Sequence, residues 1–332
     1  MNCAALIYPH QNIRYRESLP ALSKEELRLL LLALEEDPTI QEERAGNAVF
    51  LLFSLSRPGE TALRLLHQAA GVYLFFTRAE AGLVPLLPPA PPYLPDDFAS
   101  LLKYKGKTNE RFTGMMLTMA LALSAFARQP SSRLLVCDPM GGKGTTAFLA
   151  LSRGWDAVSL DSARADVREA ADYVQRYLEF HRLKHKRTED ALTLRGAVGA
   201  RESRFILSDT PEHYKAGDTR TLRLLAGDTR DLGALLRPES AHLLVTDLPY
   251  GVQKGSRGGM LETVRAAMPG WVRVLRPGGA LAMSFNALVT KRAELLSVCL
   301  ENGLIPAETG DLRHRVEQAI ERDVILARKS DA

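Results

Sequence analysis

The densest run of residues able to do chemistry is LLVCDPMGGKGTTAFLA over 134–150. It is an apolar stretch that ends in Asp138 and turns through Pro139, Met140, Gly141, Gly142 and Gly144 into a helical pattern from Thr145. Ligands of open α/β sheets bind at the carboxyl ends of the strands, and glycines there let the backbone approach closely. Three nucleotide-binding geometries compete for this turn, and spacing separates them. A phosphate loop needs Gly, four residues, then Gly-Lys-Ser/Thr; here Gly142-Lys143 is followed by Gly144, and the position five before Gly142 is Cys137. A dinucleotide turn needs Gly-x-Gly-x-x-Gly, which Asp-Pro-Met-Gly-Gly-Lys-Gly does not supply. A strand-end acid without a diphosphate cradle suits a cofactor that joins a charged amino acid to a nucleoside and carries no phosphate. S-adenosylmethionine is that cofactor.

Such a cofactor needs a second acid to bind its ribose hydroxyls. WDAVSLD places Asp161 at the end of the next strand. An acid after a strand can equally cap the helix that follows, and Asp161 or Ser162 could do so here. In the series, Asp228 of LAGDTR ends the third strand, where it or its neighbour Thr229 can accept from an adenine amino group; alone, it reads as a turn residue.

The fourth strand ends in HLLVTDLPYGVQKG, and its Asp247-Leu248-Pro249-Tyr250 resembles the (Asp/Asn)-Pro-Pro-(Tyr/Phe) motif of methyltransferases that modify amino nitrogens of nucleobases. An exocyclic amino nitrogen is conjugated with its ring, so its lone pair becomes available when acceptors bind both hydrogens. The resemblance gives Asp247 and the carbonyl of Leu248 those two roles. Tyr250 would stack on the base, a contact worth roughly 1–3 kcal/mol in single-strand recognition. Leu248 stands where the second residue of the common motif is proline, which removes backbone pre-setting but keeps the carbonyl.

With both motifs in order, residues 100–332 resemble the Rossmann-like class I methyltransferases, and the DLPYG run through Gly251 is similar to the THUMP-associated tRNA guanine-N2 methyltransferases. The resemblance implies a mostly parallel seven-stranded sheet. It also extends to KGKTNERFTGMMLTMA, a segment that those enzymes hold near the methionine end of the cofactor, so Thr108, Asn109 and Phe112 become candidate cofactor neighbours.

The elements that must position these residues follow from periodicity. Strands are expected over 133–137, 157–160, 222–226, 242–246 and 280–285, with helices between them and a helix over 112–127 ahead of the first. Alternation of this kind gives a parallel sheet covered on both faces. Two further β-type runs, 304–313 and 323–328, are expected to pair antiparallel at an edge. Residues 1–84 read as a small α+β module, possibly RNA-binding, with strands over 4–8, 49–54 and 72–77 and a helix over 23–36 opened by a Ser23-to-Glu26 capping box. Six prolines between Pro85 and Pro95 mark residues 85–99 as an extended linker.

The connection from the second helix to the third strand is too long for an ordinary loop. This basic insertion, near 181–215, carries Arg182, Lys184, Lys186, Arg187, Arg195, Arg201 and Arg204 against Glu189, Asp190 and Glu202. A solvated charged face is the plain reading. Phosphate contact through Lys184, Lys186 and Arg187 is the sharper one.

Net charge is +4, a mild excess that fits a polyanionic partner without demanding one. The three cysteines, Cys3, Cys137 and Cys299, are too dispersed for a disulfide framework or a cysteine zinc site, and no metal is expected. No secretory signal is visible, and the longest apolar run, 115–127, is shorter than the ~20 residues of a membrane span, so a cytoplasmic protein is expected. The first expectation for function is methylation of guanine N2 in tRNA, with any accessory subunit undefined. A DNA N6-adenine or N4-cytosine methyltransferase is the alternative, although it would usually bring a target-recognition domain. A non-catalytic nucleic-acid-binding module is the third, against which Asp138, Asp161 and Asp247 all stand.

Overall fold

A computed structural model describes residues 1–9, 13–56, 59–80, 82–103, 107–129, 133–194, 196–250 and 259–331, without the side chains of 13–16 and 96. Gly251 and Arg195, both singled out above, lie outside the described residues.

The first part of the chain runs β1 (Asn2–Ile7), α1 (Ile13–Ala33), β2 (Gln41–Ala45), β3 (Ala48–Ser54), α2 (Glu60–Leu66), β4 (Val72–Ala79) and β5 (Gly82–Leu86). The strands form one antiparallel sheet in the order β2-β3-β1-β4-β5, a split βαββαβ arrangement with a fifth strand added at the edge. Pro85 sits in that edge strand, where a missing N–H costs no ladder bond. Cys3, Ala5, Leu51, Phe53 and Phe75 turn to one face and share a core with Leu27, Leu30 and Leu31 of α1.

The capping box expected at Ser23 is corrected by the structure. Helix α1 starts at Ile13, so Ser23 and Glu26 are buried within it. The Glu26 carboxylate instead accepts the amides of Ala70 at 2.8 Å and Gly71 at 2.9 Å, outside its own helix. After the proline-rich stretch, a 3-10 turn (Asp96–Ala99) carries Phe98 into the core. Its ring lies 5.0 Å from Phe148 and 4.8 Å from Tyr177.

The rest of the chain begins with α3 (Glu110–Leu123), β6 (Leu135–Asp138), α4 (Thr145–Ser152), β7 (Asp156–Asp161) and α5 (Arg164–Phe180). Next come β8 (His185–Leu194), β9 (Ala197–Leu207), α6 (Pro211–Lys215), β10 (Arg220–Gly227), α7 (Leu232–Leu235) and β11 (Ala241–Asp247). The chain closes with α8 (Gly259–Val274), β12 (Leu275–Asn286), α9 (Arg292–Glu301), β13 (Leu304–Pro306), β14 (His314–Glu317) and β15 (Ile320–Lys329).

These strands form a ten-stranded mixed sheet, ordered β13-β15-β12-β11-β6-β7-β10-β9-β8 with β14 on β15. The expectation of a mostly parallel seven-stranded sheet is therefore corrected in size and direction. Strands β6, β7, β10, β11 and β12 are parallel, and β15 runs antiparallel to β12. The additions are β14 and the hairpin β8–β9, into which the basic insertion folds. Strand β9 pairs antiparallel with β10.

The chain moves outward from β6 through β7 to β10, then returns to the other side of β6 as β11. A crevice forms at the strand ends where the order reverses in this way. The apolar strand faces are covered on one side by α3, α4 and α5, in a core continuous with that of the first sheet. Helix α8 and its neighbour α9 cover the other side, through Trp271, Met268 and Val298. Helix α1 packs on α3. Nearby, Arg153 donates to the carbonyls of Gln68 at 3.0 Å and Gly114 at 3.1 Å and to the Thr118 hydroxyl at 2.9 Å, bridging the two sheets' helices.

Candidate active site

The turn after β6 is shaped by what its residues approach. Gly141 donates its amide to the Leu160 carbonyl at 2.9 Å, and a Cβ at this position would meet the Ser159 hydroxyl at 2.1 Å, so a larger residue would force Ser159 to shift where the turn lies on β7. Gly144 caps α4 at φ 88°, a left-handed conformation that glycine adopts without strain. Pro139 and Thr145 are buried on either side of the turn, and Met140 is half-buried.

Asp138 is 3% exposed, and one of its oxygens accepts the Met140 amide at 3.1 Å. Burial pushes its carboxyl up to about 7, against the opposing pull of the Thr146 hydroxyl and the Met140 amide. Asp161, at the end of the neighbouring strand, holds two segments at once. It accepts the Gly142 amide at 2.9 Å and the Ala163 amide at 2.8 Å. Asp161 therefore organises both the glycine turn and the start of α5, and Ser162 beside it is exposed. A carboxylate has about four lone-pair sites, so these two bonds leave acceptor capacity on Asp161.

Asp228 ends β10 but is engaged by Arg230, whose amide and Nε each donate to Oδ1 at 2.9 Å. That guanidinium holds the carboxyl below the usual range. The Thr229 hydroxyl accepts the Trp271 indole N–H at 3.0 Å inside the core, so its side chain is a packing group. An adenine contact at this point would have to come from its backbone.

Asp247 emerges from β11 into a set of hydroxyl donors. Thr108 donates to its Oδ2 and Ser284 of β12 to its Oδ1, while the Tyr250 hydroxyl lies 2.8 and 2.7 Å from the two oxygens. Leu248 is buried, and its amide donates to the Ser284 carbonyl at 2.9 Å, which fixes the backbone just after Asp247. Pro249 is exposed, and Tyr250 is half-buried. Burial and the Asp247 charge push the Tyr250 phenol up.

Behind Tyr250 lies a residue absent from the sequence reading. Arg322 of β15 is 2% exposed; its Nε donates to the Tyr250 hydroxyl at 2.7 Å, and its Nη2 is 3.9 Å from Asp247 Oδ2. Its guanidinium is 4.3 Å from the Phe112 ring centroid. Phe112, expected near the cofactor, is a buried core residue between Arg322 and the His314 ring 5.0 Å away. Asn109 caps α3 by accepting the Arg111 amide at 2.9 Å. Of the segment before the glycine turn, Thr108 is the residue brought to Asp247.

Register places the basic residues proposed for phosphate contact away from the crevice. Ala200 of β9 sits opposite Gly227 at the carboxyl end of β10, whereas Leu207 sits opposite Arg220 at its start. His185 pairs with Leu207, which puts Lys184, Lys186 and Arg187 at the end of the sheet away from Asp138, Asp161 and Asp247. Arg187 is also neutralised, by Glu189 at 2.7 Å and Asp172 at 3.6 Å.

No signal in the sequence marks Arg322 or Ser284, because each lies in an ordinary strand pattern. No helix among the described residues is long and apolar enough to cross a membrane. The three cysteines are buried and unpaired.

No protein-family model matches the sequence, and no curated protein does. Among solved structures, magnesium protoporphyrin IX methyltransferase from Synechocystis PCC 6803 with bound SAM is similar at 17% identity and TM-score 0.39, covering 68% of this chain and 87% of that one. A putative sarcosine dimethylglycine methyltransferase from Galdieria sulphuraria is similar at 13% identity and TM-score 0.39, covering 67% and 85%. An rRNA methylase from Streptococcus thermophilus is similar at 12% identity and TM-score 0.38, covering 68% and 99%.

Proposed function

We propose that this protein is an S-adenosylmethionine-dependent methyltransferase acting on an exocyclic amino group of a nucleobase, with guanine N2 in tRNA as the first substrate to test. The reading is carried by the reversal of strand order between β6 and β11, two hydrogen-bonded neighbours that end in Asp138 and Asp247. Ligand and reacting group then share one crevice.

The residues around Gly141 fit the cofactor. A turn closed on β7 at a position where a Cβ would crowd Ser159, flanked by two strand-end acids, suits a nucleoside joined to an amino acid. Asp138 would face the amino acid's ammonium group and Asp161 the ribose hydroxyls. S-adenosylmethionine supplies an electrophilic methyl group on a sulfonium sulfur.

The chain's own contribution is orientation and charge. Asp247 carries bonds from three hydroxyls, and a carboxylate has about four lone-pair sites, so one further donor can be accepted. In this reading that donor is the target N–H, and the Leu248 carbonyl accepts the second. Both bonds localise the lone pair on nitrogen and stabilise its developing positive charge, and Asp247 takes the proton released. Such preorganised electrostatics commonly supplies the largest single share of catalysis. Tyr250 would stack on the base.

The test is methyl transfer from tritiated S-adenosylmethionine to unmodified tRNA transcripts and to unmethylated DNA, followed by nucleoside analysis. N2-methylguanosine in tRNA supports the full proposal, and a methylated amino group in DNA moves the substrate. Absence of both cofactor binding and transfer overturns it.

A further inference from the structure

Arg322 is a guanidinium 2% exposed, and its Nη2 is 3.9 Å from the carboxylate of Asp247, longer than a direct hydrogen bond. Burying such a charge is costly unless good geometry and further hydrogen bonds surround it. Asp323, next in sequence, pairs with Arg292 at 2.8 Å. Arg322 donates from Nε to the Tyr250 hydroxyl at 2.7 Å.

That bond fixes a proton. An arginine has no acceptor, so the Tyr250 oxygen must accept from Nε–H, and its single proton is left to point at Asp247, 2.7–2.8 Å away. Resting on the amino-methyltransferase reading, we propose that Arg322 is a positioning residue that acts through Tyr250: it sets the tyrosine hydroxyl as a donor to Asp247 and so holds the carboxylate in the orientation that receives the target amino group. Strands β12 and β15 supply the rigidity. Asn286 pairs with Arg322 and Ser284 with Val324, so the Arg322 backbone is locked to the strand that also gives Asp247 its Ser284 hydroxyl. Phe112 at 4.3 Å and the Tyr250 ring at 5.2 Å flank the guanidinium.

The proposal predicts coupling. Single-turnover transfer at saturating cofactor should fall about 10²-fold in Arg322→Met, the loss that misplacement near 1 Å can cause. Arg322→Lys keeps a cationic donor and should recover part of that loss, and S-adenosylmethionine affinity should be unchanged in both. The deciding variant is Arg322→Met in a Tyr250→Phe background, which should be no slower than Tyr250→Phe alone. A merely structural role would make the two losses multiply, and multiplicative losses overturn the proposal. Thermal melting of each variant separates lost rate from lost fold; if Arg322→Met does not fold, Arg322→Lys with and without Tyr250→Phe carries the same comparison.

Wild-type protein that binds cofactor but methylates no RNA or DNA would strike the substrate reading, and the relay would then be decided in the free protein. The ¹⁵N resonance of the Arg322 Nε–H should exchange slowly in wild type and quickly in Tyr250→Phe. Fast exchange in wild type overturns the relay independently of substrate.

Discussion

The amide of Gly142 and the carboxylate of Asp161 meet at 2.9 Å, joining the glycine turn after β6 to the end of β7. The group expected to bind ribose thus also shapes the loop beside it. Asp161→Ala should weaken S-adenosylmethionine binding by about 1.5–3 kcal/mol, the usual worth of a charge-assisted hydrogen bond. Calorimetry reads this directly, and unchanged affinity would leave Asp161 as a turn residue only.

Asp138 should give cofactor binding a pH dependence. Its carboxyl is pushed up to about 7 by burial, so below that pH the free protein holds a proton that must leave before the carboxylate can meet an ammonium group. Affinity should peak at about pH 7–8, falling below it toward tenfold per pH unit as Asp138 takes up its proton and falling above it as the cofactor's amine loses its own. That amine, with an ordinary value of about 7.7–8.0, stays protonated on the acid side and cannot produce the fall there. Titrations across pH 5–8 check the acid side, which Asp138→Asn should flatten.

Replacing Asp247 should cost turnover first and stability second. The alanine variant should lose ~10²–10³ in rate, whereas Asp247→Asn keeps an oxygen acceptor and measurable activity. Because Thr108, Ser284, Tyr250 and Arg322 all face this carboxylate, alanine should also lower stability by about 1–3 kcal/mol. Rapid-quench transfer assays beside urea denaturation separate the two effects.

Lys184, Lys186 and Arg187 stand at the end of the sheet remote from the crevice, so their joint replacement by serine should leave nucleic-acid affinity and its salt dependence unchanged. Fluorescence anisotropy over a salt series would detect a loss of phosphate contacts as a smaller slope.

Glu26→Ala should destabilise the whole protein by about 3–5 kcal/mol, since it orphans the Ala70 and Gly71 amides and leaves Arg153 short of a nearby negative charge. A single cooperative transition that shifts as one, seen by calorimetry, is the expected form, because the cores of the two sheets are continuous.

The crevice at the strand ends was legible in sequence because strand ends in an α/β sheet fall on one edge, so Asp138, Asp161 and Asp247 could be placed by counting strands. Contacts made across the fold were not. Ser23 and Glu26 have the spacing of a cap, yet Glu26 bonds to amides 44 and 45 residues away. Arg322 reaches Tyr250 across 72 residues, and nothing in IERDVILARK distinguishes a buried arginine from an exposed one. The insertion was read by its charge alone, whereas its direction relative to the crevice depends on pairing register, which charge does not report.

Pairing of the β8–β9 hairpin onto β10 also changes which strand ends the sheet. Without it, the outermost strand would be RTLRLLAG, whose Leu222, Leu224 and Leu225 are buried. An open strand of that kind offers unpaired backbone groups to other molecules and invites aggregation. In its place the sheet ends in HKRTEDALTL, whose Lys186, Arg187, Glu189 and Asp190 put charge of both signs along an edge with no fully buried residue. The inserted hairpin therefore replaces an apolar edge with a charged one, and such charges disfavour the joining of one sheet to another.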